Sequence, residues 1–344
     1  MPMLSLSNAP WLFLGIMLAK IVAVFIVLLL IVAYATWVER KVIGHMQTRL
    51  GPMETGWHGL LQPIADGLKL FFKEDIIPSQ ASKVSFILAP MMILVPAFIT
   101  VAVIPFGPDI TIAGYTVPQQ IADLNIGILY ILAMAGLGVY GIVLAGWSSN
   151  SKYSLLGGIR ASAQMISYEL AAALSIIAVF MLSETLSLRG IVAIQSTAHP
   201  LFSFLPNWYI LSQPLAFALF VVCGLAEINR TPFDLPEAET ELVSGFCTEY
   251  SSMKYALFFM AEYANMVVIS AIAATLFLGG WHGPFPGVIN ILLKIFIFMF
   301  FFIWLRATFP RVRYDQLMRM GWKVFLPLAL ANIVITGIVV VLWQ

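Results

Sequence analysis

Ionisable side chains are scarce in this chain: Asp, Glu, Lys and Arg make up 10% of its 344 residues, where soluble domains devote about a quarter to them. Cysteine is scarcer still. Cys223 and Cys247 are too few and too far apart in sequence for a cluster or a zinc site, and nothing suggests a disulfide. His45, His58, His199 and His282 are scattered, with no helical pairing that would hold a metal. A redox centre belonging to this chain is therefore not expected, and the shortage of charge excludes a soluble protein. In place of charge stand apolar side chains, 61% of the total.

A hydrocarbon core of roughly 30 Å needs about 20 apolar residues of helix. Eight stretches qualify, near 11–38, 84–104, 125–147, 161–183, 208–226, 254–278, 288–305 and 324–342. The expected fold is an all-α integral membrane protein, one polytopic domain over 1–344 with eight spans and short amphipathic cytoplasmic helices. The first stretch reads as a span and not a cleaved signal, since no basic residue precedes it and its apolar run is too long.

Lys and Arg collect in cytoplasmic loops. The first connection holds Arg40, Lys41, Arg49, Lys69, Lys73 and Lys83, the third Lys152 and Arg160, and the seventh Arg306, Arg311, Arg313, Arg319 and Lys323. The second and sixth hold none and the fourth only Arg189. Loops one, three, five and seven are thus expected to face the cytoplasm, with both termini outside.

"GLGVYG" at 136–141 matches the glycine pattern of dinucleotide sites but lies inside the third span with no strand before it. Small residues that let helices approach closely are the better reading. "GLLQPIADGLKLFFKED" at 59–75 is different. Leu61, Ile64, Ala65, Leu68 and Phe72 repeat at helical spacing, with Gln62, Asp66, Lys69 and Lys73 opposite. Too polar to span, it reads as a helix near 60–74 lying in the cytoplasmic interface, apolar stripe towards lipid or a lipid-like ligand; a plain surface anchor is the alternative.

A charge at membrane depth costs about 3 kcal/mol on insertion scales, so each asks for a reason. Lys20 and Lys294 fall towards outer span ends, where they can snorkel. Glu169 and Glu262 each lie about eight residues into a span from the cytoplasmic face, roughly 12 Å deep, and Glu227 ends the fifth span on that side. Tyr168 and Tyr263 adjoin two of them. Desolvation and neighbouring negative charge both raise a carboxyl's proton affinity, which suits a proton relay. The plainer alternative pairs each glutamate with a buried cation such as Arg230 or Arg160.

Between residues 223 and 250, "CGLAEINRTPFDLPEAETELVSGFCTEY" gathers Glu227, Asp234, Glu237, Glu239, Glu241 and Glu249, six of the chain's 17 acids, around one base, Arg230. Asp234 with Glu237 three residues on resembles a helix-starting cap, predicting a helix from Leu235 to about Cys247. Acids in a first turn suit the helix dipole, which covers Glu237 and Glu239 but not Glu241, Glu249 and Glu227. A carboxylate-lined mouth feeding the membrane glutamates covers all of them.

The segments "ERKVIGHMQTRLGP" (39–52), "QPIADGLKLFFKE" (62–74), "ISYEL" (166–170), "AEINRTPFDLPEAETELVSGF" (226–246), "FFMAEYANM" (258–266) and "PRVRYDQLM" (310–318) occur in an order that resembles the H subunit of respiratory complex I, the subunit 1 family of mitochondria. The resemblance covers essentially the whole chain. It implies the membrane part of a ubiquinone chamber, bordered by Glu39, Arg40, Arg49 and Asp66, with the acidic loop and its Asp234 in the wall. It also implies a polar passage through Glu169, Glu227 and Glu262, with Glu237, Glu239 and Glu241, that couples quinone reduction to proton translocation. Implied partners are hydrophilic quinone-site subunits carrying iron–sulfur clusters and FMN, small membrane subunits leading to antiporter-like subunits, and lipids; this chain binds no cofactor of its own. The implied location is a bacterial inner membrane, a mitochondrial one being the alternative.

Two rivals carry weight at this point. The membrane subunit of energy-converting hydrogenases shares the helix bundle, although the full first-loop motif favours complex I. A proton-coupled transporter would use the same buried glutamates, but transporters usually show an internal repeat with broken helices, which this sequence lacks. A passive anchor leaves the membrane glutamates unexplained.

Overall fold

The computed structural model describes residues 9–112, 114–197, 207–235 and 242–343. Among them seven helices are long and apolar enough to cross a membrane: Pro10–Met46, Lys83–Val103, Gly127–Ser148, Lys152–Ser183, Ser252–Phe277, Gly287–Thr308 and Tyr314–Leu342. In chain order the elements are α1 (Pro10–Met46), α2 (Gln62–Phe72), α3 (Lys83–Thr100), a hairpin of β1 (Ile110–Ile112) and β2 (Tyr115–Val117), α4 (Gly127–Ser148) and α5 (Lys152–Ser183). There follow α6 (Leu188–Gln195), α7 (Tyr209–Ser212), α8 (Pro214–Glu227), α9 (Ser252–Phe277), α10 (Gly287–Thr308), α11 (Tyr314–Met320), a π turn and α12 (Leu326–Trp343).

The stretch expected as a fifth span is not one helix. It breaks at Gln213, whose φ of −132° and ψ of 56° leave helical space before Pro214 opens α8. Proline brings no N–H for a ladder bond and suits a helix's first position. α8 has 14 residues, about 21 Å of rise, short of the roughly 30 Å of a hydrocarbon core. The break is stitched sideways: Gln213 donates to Thr336 Oγ1 (2.9 Å) and accepts from Asn332 (3.0 Å), both on α12.

α9 is the axle of the bundle. Every residue from Met266 to Phe277 is buried, because a helix apolar on all sides needs neighbours on all sides; α3, α10, α8 and α6 supply them. α3 packs on α4 and α4 on α5. Gly141 of the "GLGVYG" stretch sets the α3–α4 spacing: a Cβ there would lie 2.3 Å from Ile93 Cγ1. Two prolines interrupt the ladder of α3, Pro90 and Pro96. The carbonyl that Pro90 frees, Phe86 O, accepts from Tyr250 (3.2 Å) in the loop after α8. Burial pushes the Tyr250 hydroxyl up to about 12, so it stays a donor at neutral pH.

Polar contacts sort the loops into two ends. At one, Asn150 meets Gln80 (3.3 Å), Lys254 meets Asp75 (2.8 Å) and Arg311 meets Asp234 (3.0 Å), tying loops one, three, five and seven together. At the other, Arg189 joins loop four to Asp109 (2.6 Å) and Asp123 (3.5 Å) of loop two. Lys294 does not snorkel. It is buried and donates to the carbonyls of Leu278, Gly280 and His282 at 2.6 to 2.8 Å, closing the C-terminal end of α9, where exposed carbonyls favour a cation.

Candidate functional site: an apolar cleft joined to a buried charge cluster

α1 carries two stripes. Leu28, Val32, Ala35 and Glu39 are buried against the bundle, at spacings of four, three and four that keep one face together. Ile26, Leu30, Ala33 and Arg40 follow the neighbouring face and line a cleft of about 650 Å³ between α1, α2 and α9. Adjacent residues on a helix point about 100° apart, so Glu39 enters the protein while Arg40 enters the cleft.

The cleft is apolar along Leu29, Leu70, Phe259 and Met260 and polar at one end. There Arg40 bonds Asp66 at 2.5 Å, and Gln62 donates to the other Asp66 oxygen at 3.0 Å. Asp66 and Gln62 sit one turn apart on α2, whose Ile64, Leu68, Phe71 and Phe72 are exposed, as is Leu61 just before it. The Arg40 side chain is half exposed, so this pair contributes at most about 1 kcal/mol to stability.

Tyr263 is the inner wall of the cleft and the outer member of a buried cluster. Its hydroxyl donates to Glu39 Oε2 (2.9 Å), and the Arg230 guanidinium stacks over its ring at 4.2 Å. Arg230 is 2% exposed and donates to Glu39 Oε2 and Glu262 Oε1, each at 2.5 Å. Arg306 donates to the other Glu39 oxygen. Two acids and two bases balance, and the fully buried Arg230 Nη2 is left without a partner among the described residues. For Glu262 the pairing alternative is realised with Arg230.

Glu169 and Glu227 differ: no hydrogen bond or ion pair to either occurs among the described residues. Glu227 closes α8 and faces Glu262 across a cavity of about 50 Å³ that also meets Asn229, Asn265 and Met165, room for a few water molecules. A second cavity of similar size shares Ile93, Gly138, Met165, Glu227 and Asn265 and extends to Thr100. Glu169 fills the gap left by Gly136 on α4, where a Cβ would stand 3.1 Å from its Oε1. Arg160, the other cation considered for pairing, lies over the Tyr314 ring at 5.2 Å.

The helices that carry Glu169 and Glu262 begin at different points from the expected spans. α5 starts at Lys152 and not near 161, so Glu169 is seventeen residues in while Glu262 is ten beyond Ser252, about 26 and 15 Å along their axes. The polar turns before the apolar run are helical too, held by backbone contact: a Cβ on Gly157 would meet Gly245 Cα at 2.7 Å.

Of the acidic loop, Glu237, Glu239 and Glu241 lie outside the described residues, and so does most of the helix predicted from Leu235. Its predicted end is not α-helical. Val243 and Gly245 have φ of +66° and +53°, and Gly245–Cys247 forms a single 3₁₀ turn, since left-handed residues end a helix. Asp234 is buried, bonded to Arg311 through Oδ2 with no partner for Oδ1 among the described residues, and does not line the cleft. Arg49 is exposed and donates to Gln47 (2.9 Å), away from the cleft.

Sequence reasoning missed Arg306 as a cluster member because it counted only as a loop base. Its signal was positional: Ile295, Met299 and Phe302 are buried on α10, and Arg306 is the next residue on that face. Asn265, between the two cavities, gave no signal beyond being polar on an apolar helix.

The structure thus defines a multi-helix membrane protein in which an apolar cleft stands against a buried, charge-balanced polar cluster. Comparison with known proteins narrows this. The NADH dehydrogenase family model matches residues 19–337. Form 1 of the NADH-quinone oxidoreductase H subunit from Geobacter sulfurreducens is 66% identical, covering 97% of this chain and 98% of the relative. Form 2 of the same component from Geobacter metallireducens is 67% identical over 94% and 95%, and the one from Thermomicrobium roseum is 56% identical over 91% and 92%. The chain belongs to the family of NADH-quinone oxidoreductase H subunits, membrane components of that enzyme complex.

Proposed function

We propose that the chain forms the membrane wall of the ubiquinone chamber of NADH:quinone oxidoreductase and begins the path along which quinone reduction drives proton translocation. The observation that carries this is the shared wall: Tyr263 lines the cleft and hydrogen-bonds Glu39 in the buried cluster. A quinone's isoprenoid tail matches the apolar length of the cleft, and its carbonyl oxygens match the N–H donors of Arg40. Lying between a membrane-facing helix, α2, and the bundle, the cleft suits a ligand that arrives from lipid.

From there the polar groups form a sequence. Tyr263 touches Glu39, Glu39 shares Arg230 with Glu262, and Glu262 faces Glu227 across the first cavity. A change of charge in the cleft alters the balance of two acids and two bases, and the unpaired carboxyls of Glu227 and Glu169 are the next groups able to respond. Glu237, Glu239 and Glu241 would extend this acid series at the cytoplasmic mouth. The Lys and Arg distribution supports a bacterial inner-membrane orientation with loops one, three, five and seven inside. Iron–sulfur clusters, FMN and antiporter-like pumping belong to partner subunits. Family membership favours this reading over a hydrogenase component or a transporter.

The test uses Arg40→Ala and Asp66→Asn in the assembled complex. Because the exposed pair contributes so little to folding, the variants should assemble, quinone reduction should fall by about tenfold or more for loss of a charged hydrogen bond, and NADH:ferricyanide activity should survive. Equal loss of both activities would assign the pair to assembly instead.

A further inference from the structure

A second cleft lies at the opposite end of α1, about 340 Å³, between α1, α10 and the segment after α3. It is no extension of the first cleft: the two overlap along α1 between Ile26 and Ile31 but lie on different faces of the helix and share no lining residue. Val24, Val27, Phe106, Leu292 and Ile295 make its walls apolar. Three polar groups interrupt them. Lys20 donates to Pro118 O (2.7 Å) and Gln120 O (3.4 Å), which leaves one ammonium N–H of three. It forms no ion pair among the described residues, and Asp109 in the same region is bound to Arg189. Gln120 is 4% exposed and its Oε1 has no partner; Gln119 Oε1, also on the lining, has none either.

An apolar slot within a membrane protein, with one cation that forms no ion pair among the described residues and with buried acceptors, asks for a ligand with a hydrocarbon chain, an anionic oxygen and an N–H donor. We propose that this cleft binds one phosphatidylethanolamine of the leaflet at the end opposite the acidic loop. An acyl chain lies along α1, the phosphate takes the free N–H of Lys20, and the headgroup ammonium donates to Gln120 Oε1. Charge complementarity selects the phosphate, and the cost of a buried acceptor without a donor selects the amine over a choline headgroup, which has no N–H. The lipid would fasten α1, which otherwise exposes most of its surface, to the loop and to α10.

The test is photocrosslinking in native membranes of the assembled complex. Val27, on the cleft wall, is replaced by p-benzoylphenylalanine, with Leu14, an exposed residue outside the cleft, as control. Adducts are identified by mass spectrometry. At Val27 phosphatidylethanolamine should be enriched over its share of bulk lipid, while Leu14 should mirror the bulk. Adding Lys20→Met should lower the Val27 adduct about tenfold, as expected for loss of a charge-assisted contact. A peptide adduct from a neighbouring chain of the complex, a lipid mixture equal to that at Leu14, or enrichment of phosphatidylglycerol would each overturn the proposal. The enrichment is read with Lys20 intact, so it decides the matter even if the double variant does not assemble.

Discussion

Arg230→Gln is the most demanding perturbation of the buried cluster. Arg230 is almost wholly enclosed, each of its two ion pairs is 2.5 Å long, and its guanidinium covers Tyr263. Removing it leaves Glu39 with Arg306 and Tyr263 but Glu262 with no ion-pair partner among the described residues, only the more distant charge of Arg306. Stripping the partner from a buried charge costs about 3–5 kcal/mol, so Arg230→Gln should fall near the upper end. Glu262→Gln is milder, since Arg230 keeps Glu39 and the Tyr263 ring; loss of one charged hydrogen bond costs about 1.5–3 kcal/mol. The double variant should not incur both penalties, because once the carboxylate is gone the missing cation matters less. A coupling of about 2 kcal/mol is expected from residues in one network. The assay is the rate at which the purified complex loses quinone-linked activity at fixed temperature, normalised to NADH:ferricyanide activity, for wild type, both singles and the double variant. Rates report the unfolding barrier, and a coupling of this size appears as a roughly 30-fold departure from additivity if it acts wholly on unfolding. Additive single effects would refute the cluster as an energetic unit.

Two further outcomes follow from the geometry. Glu169 meets Gly136 and no described cation, so Glu169→Gln should assemble at normal yield, yet quinone reduction and proton uptake in vesicles should fall together, with Glu169→Asp keeping part of both; full pumping by Glu169→Gln removes this residue from the path. Because polar contacts gather loops two and four at one end and loops one, three, five and seven at the other, single cysteines at Asp109 and Lys152 should react from opposite faces of sealed vesicles, and labelling from one face would overturn the orientation.

How far the site was legible in the sequence depended on which physical signal each residue gives. Apolar run length marks membrane helices because the hydrocarbon thickness is fixed, and it located all seven long ones. At residues 208–226 it ran across the break at Gln213–Pro214; hydropathy averages over a proline that geometry cannot ignore. It also clipped α5, since the helical turns from Lys152 are polar and a hydropathy window ends before them. Periodicity marked Asp66 on the polar stripe of α2, next to Gln62 one turn away. Motif resemblance grouped Glu39 with Arg40, although the two diverge: helical rotation sends one into a cluster held by Arg230 and Arg306 and the other into the cleft. What a sequence carries poorly is pairing between distant segments. Glu39 and Arg306 are 267 positions apart, and the packing of α1 against α10, with both against α9, brings them together. The same limit explains why the pairing alternative could be neither chosen nor rejected in advance. Among the described residues it holds for Glu262 and not for Glu169 or Glu227, so the three glutamates, alike in composition, divide into one that is charge-balanced and two that meet no described cation.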